Sequence, residues 1–234
     1  MEREEKEIQG FMKRLRPSVR YFYRAAYAIT ADRSMAEYVL GEALVKAYMK
    51  GVAPTGTLGF RDSVLTVIRE CALGQLKREM PEDEWDGFFA DPSRHEPIAE
   101  TVARESLELQ RMSVLRYGCG MTVREIAALT RTTVDRVQDA LNQGRLRIER
   151  ALAREKKNAR PFDRLAMRAV RQAMNREGND QIDPDYILHS FETELAGRRR
   201  PRRVLRRLAG GLLLAALGLL FAALLWLLAI LMEM

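Results

Sequence analysis

Ahead of residue 198, apolar residues recur every three or four positions. No run alternates apolar and polar for long enough to argue a strand, so the pattern predicts an all-α chain. One helix is expected from about Ser18 to Ile29, burying Tyr21, Phe22, Ala25 and Ala26. Ser34 can cap the next, because its hydroxyl can accept from free first-turn amides. That helix carries Ala36, Val39, Leu40, Ala43, Leu44, Ala47 and Tyr48 on one stripe. The stretch Gly51–Gly59 is dense in helix breakers and reads as a loop. A third helix, about Arg61 to Arg78, buries Val64, Leu65, Ile68, Cys71, Ala72 and Leu76. Three helices of this length can close one small core, which makes residues 1–79 a first helical domain.

From residue 80 to 97 the pattern gives way to Pro, Gly and acid, the composition of a linker. A second helical block covers 98–157. A stalk follows over 158–207, with an amphipathic segment Phe162–Met174 and a helix started by Asp183-Pro184, an N-cap followed by a first-turn proline. That last helix carries Tyr186, Ile187, Phe191 and Leu195 and is expected to stop at Gly197.

Residues 208–232 are different in kind: 25 residues without a charge, rich in Leu and Ala. As a helix they would extend roughly 37 Å, enough to cross a hydrocarbon core of roughly 30 Å. They predict a single C-terminal transmembrane helix; a buried core helix is the other reading, but core helices rarely stay apolar all round. Just before it lie Arg198, Arg199, Arg200, Arg202, Arg203, Arg206 and Arg207. Such a cluster belongs on the cytoplasmic side, against the membrane surface, and leaves the N-terminal bulk in the cytoplasm.

That cluster alone matches the net charge of +7, so the basic balance is no argument for nucleic acid. The local balance says more. Residues 1–75 carry +3, 76–100 carry −5, 101–157 carry +5 and 158–197 carry −2, so two weakly basic blocks flank an acidic connector. With two cysteines and two histidines, no metal-ligand spacing occurs, and there is no phosphate loop, dinucleotide glycine pattern or nucleophile elbow. Neither a metal nor a cofactor is expected, and an enzyme is the poorer hypothesis. Cys71 and Cys119 suit reduced cytoplasmic thiols.

The sharpest local motif runs from Gly120 to Asn142. Thr122 and Glu125 have the spacing of a capping box, Ile126, Ala127 and Leu129 face inward, a turn falls at Thr130-Arg131, and Thr133 can start a second helix with Val134, Val137 and Leu141 as its seam. This is a helix-turn-helix, whose second helix enters the major groove; an ordinary helical hairpin is the plainer alternative. Thr133, Arg136, Gln138 and Asn142 would then face base edges, with Arg131, Arg145 and Arg147 near phosphates.

Two stretches carry a family resemblance. Met112 through Leu152 resembles the promoter-binding fourth region of extracytoplasmic-function sigma factors. Arg20 through Tyr48 resembles the second region of that family, and an acidic linker joins the two in the family's order. The resemblance covers roughly residues 10–157. It implies a factor that binds RNA polymerase core and directs it to promoter DNA. Glu37 and Glu42 would meet the polymerase clamp, the loop Gly51–Gly59 and the helix after it would hold the −10 element, Lys46, Lys50, Arg61 and Arg69 would bind DNA, and the second helix of the helix-turn-helix would read the −35 element. The linker with Glu82, Asp83, Glu84 and Asp86 would run toward the polymerase active centre or serve as a solvated spacer.

The chain departs from the family in several places. Two of the usual four acids on the clamp helix are Met35 and Tyr38. A customary tryptophan is Ser63, and an Arg-Asn pair facing DNA is Arg69-Glu70, which puts a carboxylate near phosphates. The turn glycine is Arg131, a cost of about 1 kcal/mol if the position needs positive φ. Gln138-Asp139-Ala140 replaces a basic triplet, and Gly144 weakens the helix by roughly 1 kcal/mol. The first reading is therefore a membrane-tethered alternative sigma factor, with an anti-sigma protein or a regulatory protease as further partners. The second is a sigma-derived protein that binds polymerase, a sigma or an anti-sigma without reading promoters. The third is an unrelated membrane-anchored repressor.

Overall fold

Helix α2, Val19–Thr30, is buried along nearly its whole circumference. Tyr21, Phe22, Ala25 and Ala26 lie inside, and so do Tyr23, Arg24, Tyr27 and Ala28 on its other sides. A helix covered all round needs neighbours on every side, and two sets of helices supply them. The computed structural model describes residues 2–51, 57–78, 85–87, 97–154, 162–176 and 183–198. Within these residues the protein is all-α, with no strand.

On one side α2 packs against α3, Arg33–Met49, and α4, Thr57–Leu76, the three-helix core that the periodicity predicts. The cap of α3 is Asp32 and not Ser34: the Asp32 carboxylate accepts from the Met35 amide at 2.5 Å. A carboxylate one position before the helix also complements the positive end of the dipole, which a hydroxyl cannot. The chain enters this core through an unpredicted helix, α1, Glu2–Leu15, which buries Phe11 and Leu15 one turn apart. The ring of Phe11 meets those of Tyr48 and Phe60 edge-on at 5.3 and 5.5 Å and that of Phe191 at 5.6 Å.

On the other side come α5, Pro97–Ala103, and α6, Leu107–Ser113, which runs into a π-helical turn over Val114–Gly118. Then follow α7, Val123–Leu129, α8, Val134–Arg154, and α9, Phe162–Ala173. Tyr21 Oη donates to the Gly118 carbonyl at 2.9 Å. Arg111, buried in α6, donates to the carbonyls of Ala28 and Ile29 at 3.0 and 3.3 Å, at the C-terminal end of α2. Arg24, only 1% exposed, donates in turn to the carbonyls of Ala173, Met174 and Arg176 at 3.3, 3.1 and 2.7 Å, where α9 ends. Each arginine brings a positive charge to the negative end of a helix and fills acceptors that the helix leaves open.

Between the two sets, the described part of the expected linker is docked. The Trp85 ring lies 5.1 Å from that of Tyr27, and its indole nitrogen donates to the Leu107 carbonyl at 3.0 Å. Asp86 accepts from Tyr27 Oη at 2.6 Å and from Arg33 at 2.7 Å. Glu82, Asp83 and Glu84 lie outside the described residues. The Asp183 cap is present, its carboxylate accepting from the Asp185 amide at 2.9 Å. The helix it starts, α10 over residues 184–198, buries Ile187 and Phe191, while Tyr186 faces solvent.

The chain from Met1 to Phe191 forms one compact unit, and Glu192 onward belongs to a second, in which Arg198 pairs with Glu194 at 2.7 Å. Arg199, Arg200, Arg202, Arg203, Arg206, Arg207 and the expected span over 208–232 lie outside the described residues. Among the described residues, no helix is long and apolar enough to cross a membrane.

The arrangement predicts that Arg24→Met, similar in volume but without donors, takes the side-chain donor from the carbonyls of Met174 and Arg176, while that of Ala173 still accepts from the Arg176 amide. It should lower stability by on the order of 2 kcal/mol, measured by chemical unfolding.

Candidate nucleic-acid interface

Short-range chemistry builds the helix-turn-helix. At its start, Thr122 Oγ1 accepts from the Glu125 amide at 3.3 Å, and the Glu125 carboxylate accepts from the Thr122 amide at 2.7 Å, the reciprocal capping box that the spacing predicts. The turn closes with the Thr130 amide on the Ile126 carbonyl at 2.8 Å and the Thr132 amide on that of Ala127 at 3.0 Å. Arg131 sits between them at φ +53°, the left-handed region that glycine fills without strain. Thr133 caps α8, its hydroxyl accepting from the Arg136 amide at 3.2 Å. Ile126, Ala127, Val137 and Leu141 are buried as expected, but Leu129 is half-buried and Val134 is 46% exposed. Val134 stands in the first turn of α8, ahead of the point where the buried stripe Val137, Leu141, Ile148 meets its neighbours.

Each arginine assigned to α8 lies beside a carboxylate. Arg136 pairs with Glu108 at 3.1 Å, Arg145 with Glu149 at 2.8 Å, and Arg147 with Glu105. Arg145 also lies 4.9 Å over the Phe162 ring. Gln138 and Asn142 bond each other at 3.1 Å one turn apart. The side of α8 opposite its buried stripe presents Asp135, Asp139, Asn142 and Leu146, all exposed, with Arg150 at its far end. The helix would thus offer acids and an amide to a groove, with its arginines on the flanks.

The cations of the first block are arranged differently. Lys50 and Lys46 of α3 share Glu70 at 3.1 and 3.7 Å, and Lys50 chiefly holds the Glu70 carboxyl below its usual range. The carboxylate that replaces the family's amide is thus engaged with two of the residues assigned to DNA. Arg61 is turned inward, donating to Ser18 Oγ at 3.0 Å over the ring of Tyr21. Arg69 reaches the second block, pairing with Glu125 at 2.8 Å. Burial works against ionisation of Glu125, but the bonds from Thr122 and the Arg69 charge hold its carboxyl below the usual value. On α3, Glu37 and Tyr38 are exposed and Glu42 is half-buried. Of the expected loop Gly51–Gly59, residues 57–59 belong to the first turn of α4 and residues 52–56 lie outside the described residues.

Both thiols are free; Cys119 is fully buried, and burial pushes it up to about 12. Among the described residues, no group of His, Cys, Asp and Glu could hold a metal ion. Comparison with protein-family models, curated proteins and solved structures returned no match.

The sequence reading passed over Glu105, Glu108 and Arg171, because their partners lie 28 to 109 residues away. No local spacing signals such pairs.

Two outcomes are expected. Glu108→Gln, which releases Arg136, should strengthen binding to duplex DNA by up to about fivefold, since an exposed ion pair contributes about 1 kcal/mol or less; fluorescence anisotropy reads it. Arg131→Gly should stabilise the protein by about 1 kcal/mol in thermal unfolding by removing the strain at positive φ.

Proposed function

We propose that this protein is a membrane-tethered alternative sigma factor that binds RNA polymerase core and directs it to promoter DNA. The observation that carries the reading is the helix-turn-helix, with its capping box, left-handed turn and capped second helix, following a helical bundle in the sigma order. The apolar segment 208–232 would anchor the chain, and its seven preceding arginines would keep the bulk in the cytoplasm against anionic lipid. The chain would act without metal or cofactor, by positioning rather than by chemistry. Glu37 and Glu42 of α3 would meet polymerase, and Arg131, Thr133, Arg136, Gln138, Asn142, Arg145 and Arg147 would meet the −35 duplex.

Paired arginines do not stand in the way of DNA. Exposed ion pairs are worth about 1 kcal/mol or less, and each phosphate contact releases condensed counterions, so phosphates can displace Glu108 or Glu149.

One observation favours a second reading, a sigma-derived protein that binds polymerase, a sigma or an anti-sigma without reading promoters. The outward stripe of α8 has Asp135 and Asp139 where a groove-reading helix usually has donors. Carboxylates can accept only from the amino groups of cytosine and adenine in the major groove and are repelled by the flanking phosphates.

Run-off transcription with the detergent-solubilised protein, core polymerase and genomic promoter fragments separates the readings. Transcripts from discrete start sites are expected. Polymerase binding without initiation would move the assignment to the second reading, and DNA binding indifferent to polymerase would point to a membrane-anchored repressor.

A further inference from the structure

Helix α9 touches both helical blocks. At its start, the Phe162 ring meets Tyr117 edge-on at 6.0 Å. Past its end, Arg24 holds its last carbonyls and Asn175 Nδ2 donates to the Pro17 carbonyl at 2.7 Å. Between these points, Arg171 donates to the Gly118 carbonyl at 3.3 Å and pairs with Asp62 of α4 at 2.8 Å. Met174 lies so close to Gly118 that a methyl group there would overlap its sulfur. Further along, Phe191 enters the aromatic cluster of α1, α3 and α4.

We propose that residues 162–176 and 183–191 form a clasp that closes the two blocks on one another, and that in the closed arrangement one face of α4 is occupied from within the chain. Asp62 and Arg69 are seven residues apart, two turns along the same face. The first is held by Arg171 of the clasp and the second by Glu125 of the helix-turn-helix. Under the function proposed above, on which this part rests, that is the helix meant for promoter DNA. The Arg69–Glu125 pair is less exposed than the arginine pairs of α8, so a phosphate displaces the Glu125 carboxylate from Arg69 less readily than it displaces Glu108 or Glu149.

Part of what holds them is polar: carbonyls, guanidinium groups and partly exposed carboxylates. On opening, Arg24 and Arg171 regain water, while Val170, Met174 and Phe191 lose the cover that the closed arrangement gives them.

The test uses the full-length protein in detergent micelles with Cys71→Ser and fluorophores on Tyr38→Cys of α3 and Gln143→Cys of α8. Cys119 is buried and stays unlabelled. One variant combines Asp62→Arg, which repels Arg171, with Glu125→Gln, which weakens the Arg69 pair while preserving the capping box. The other is Phe191→Ala. Both should lose energy transfer with the far-ultraviolet helix signal intact; if Phe191→Ala loses helix, the surface pair decides. Transfer unchanged from the parent would overturn the clasp, whatever polymerase or DNA binding the variants have. Variants that open yet bind neither core polymerase nor duplex DNA would leave the clasp standing and defeat the sigma assignment, so the two failures are told apart.

Discussion

A guanidinium buried to 1% exposure must find in the protein the acceptors it gave up in water, and Arg24 finds them at the C-terminal end of α9. The remaining contacts between the helical blocks are organised around that demand. Arg24 projects from α2, so α9 must end against α2. Arg111 makes the same demand in the other direction, reaching from α6 to the last carbonyls of α2. Two helix ends that would otherwise hold open acceptors in the interior are thereby closed, each by a side chain distant in sequence. Their bonds have direction as well as strength, and they fix which helix end meets which arginine more tightly than apolar packing alone would.

The backbone between α6 and α7 adapts to this constraint. Its π turn ends at Gly118, whose carbonyl accepts from both Tyr21 and Arg171, and whose missing side chain leaves room for Met174. Three elements therefore converge on one carbonyl. The left-handed residue Ala31 ends α2 where Arg111 arrives, and the Trp85 ring, tilted against that of Tyr27, meets the same end from the linker. The acidic connector is thus partly structural. Asp86 ties Tyr27 to Arg33; burial pushes the Tyr27 phenol above its ordinary value, and the carboxylate it donates to holds its proton further.

Electrostatics and function meet on α4 and α8. The protein has the cations a nucleic-acid partner needs, but distributes them beside carboxylates: Lys46 and Lys50 around Glu70, Arg69 on Glu125, Arg136 and Arg147 against Glu108 and Glu105. A surface neutralised in this way attracts a polyanion weakly at long range and can still exchange its partners at contact. Under the proposed function, that suits a factor delivered to DNA by polymerase better than one that searches DNA alone.

Helical periodicity made the three-helix core legible, and the inward stripes of α2, α3 and α4 lie where it put them except at Tyr48, Cys71 and Leu76, which are half-buried. The capping box at Thr122–Glu125, the strained turn at Arg131 and the Asp183 cap could also be read directly. All of these depend on residues within four positions of each other, where the geometry of one helical turn decides the outcome. The cap of α3 was misplaced by two residues because Asp32 and Ser34 are both good caps, and only the path of the chain out of α2 chooses between them. What tertiary structure alone decided is the burial of α2 on its far side, the destinations of Arg24, Arg111 and Arg171, and the carboxylates beside Arg136 and Arg147. A charged side chain looks solvent-bound in a linear pattern; whether it is hydrated, paired or holding a helix end depends on which distant backbone comes within 3 Å of it.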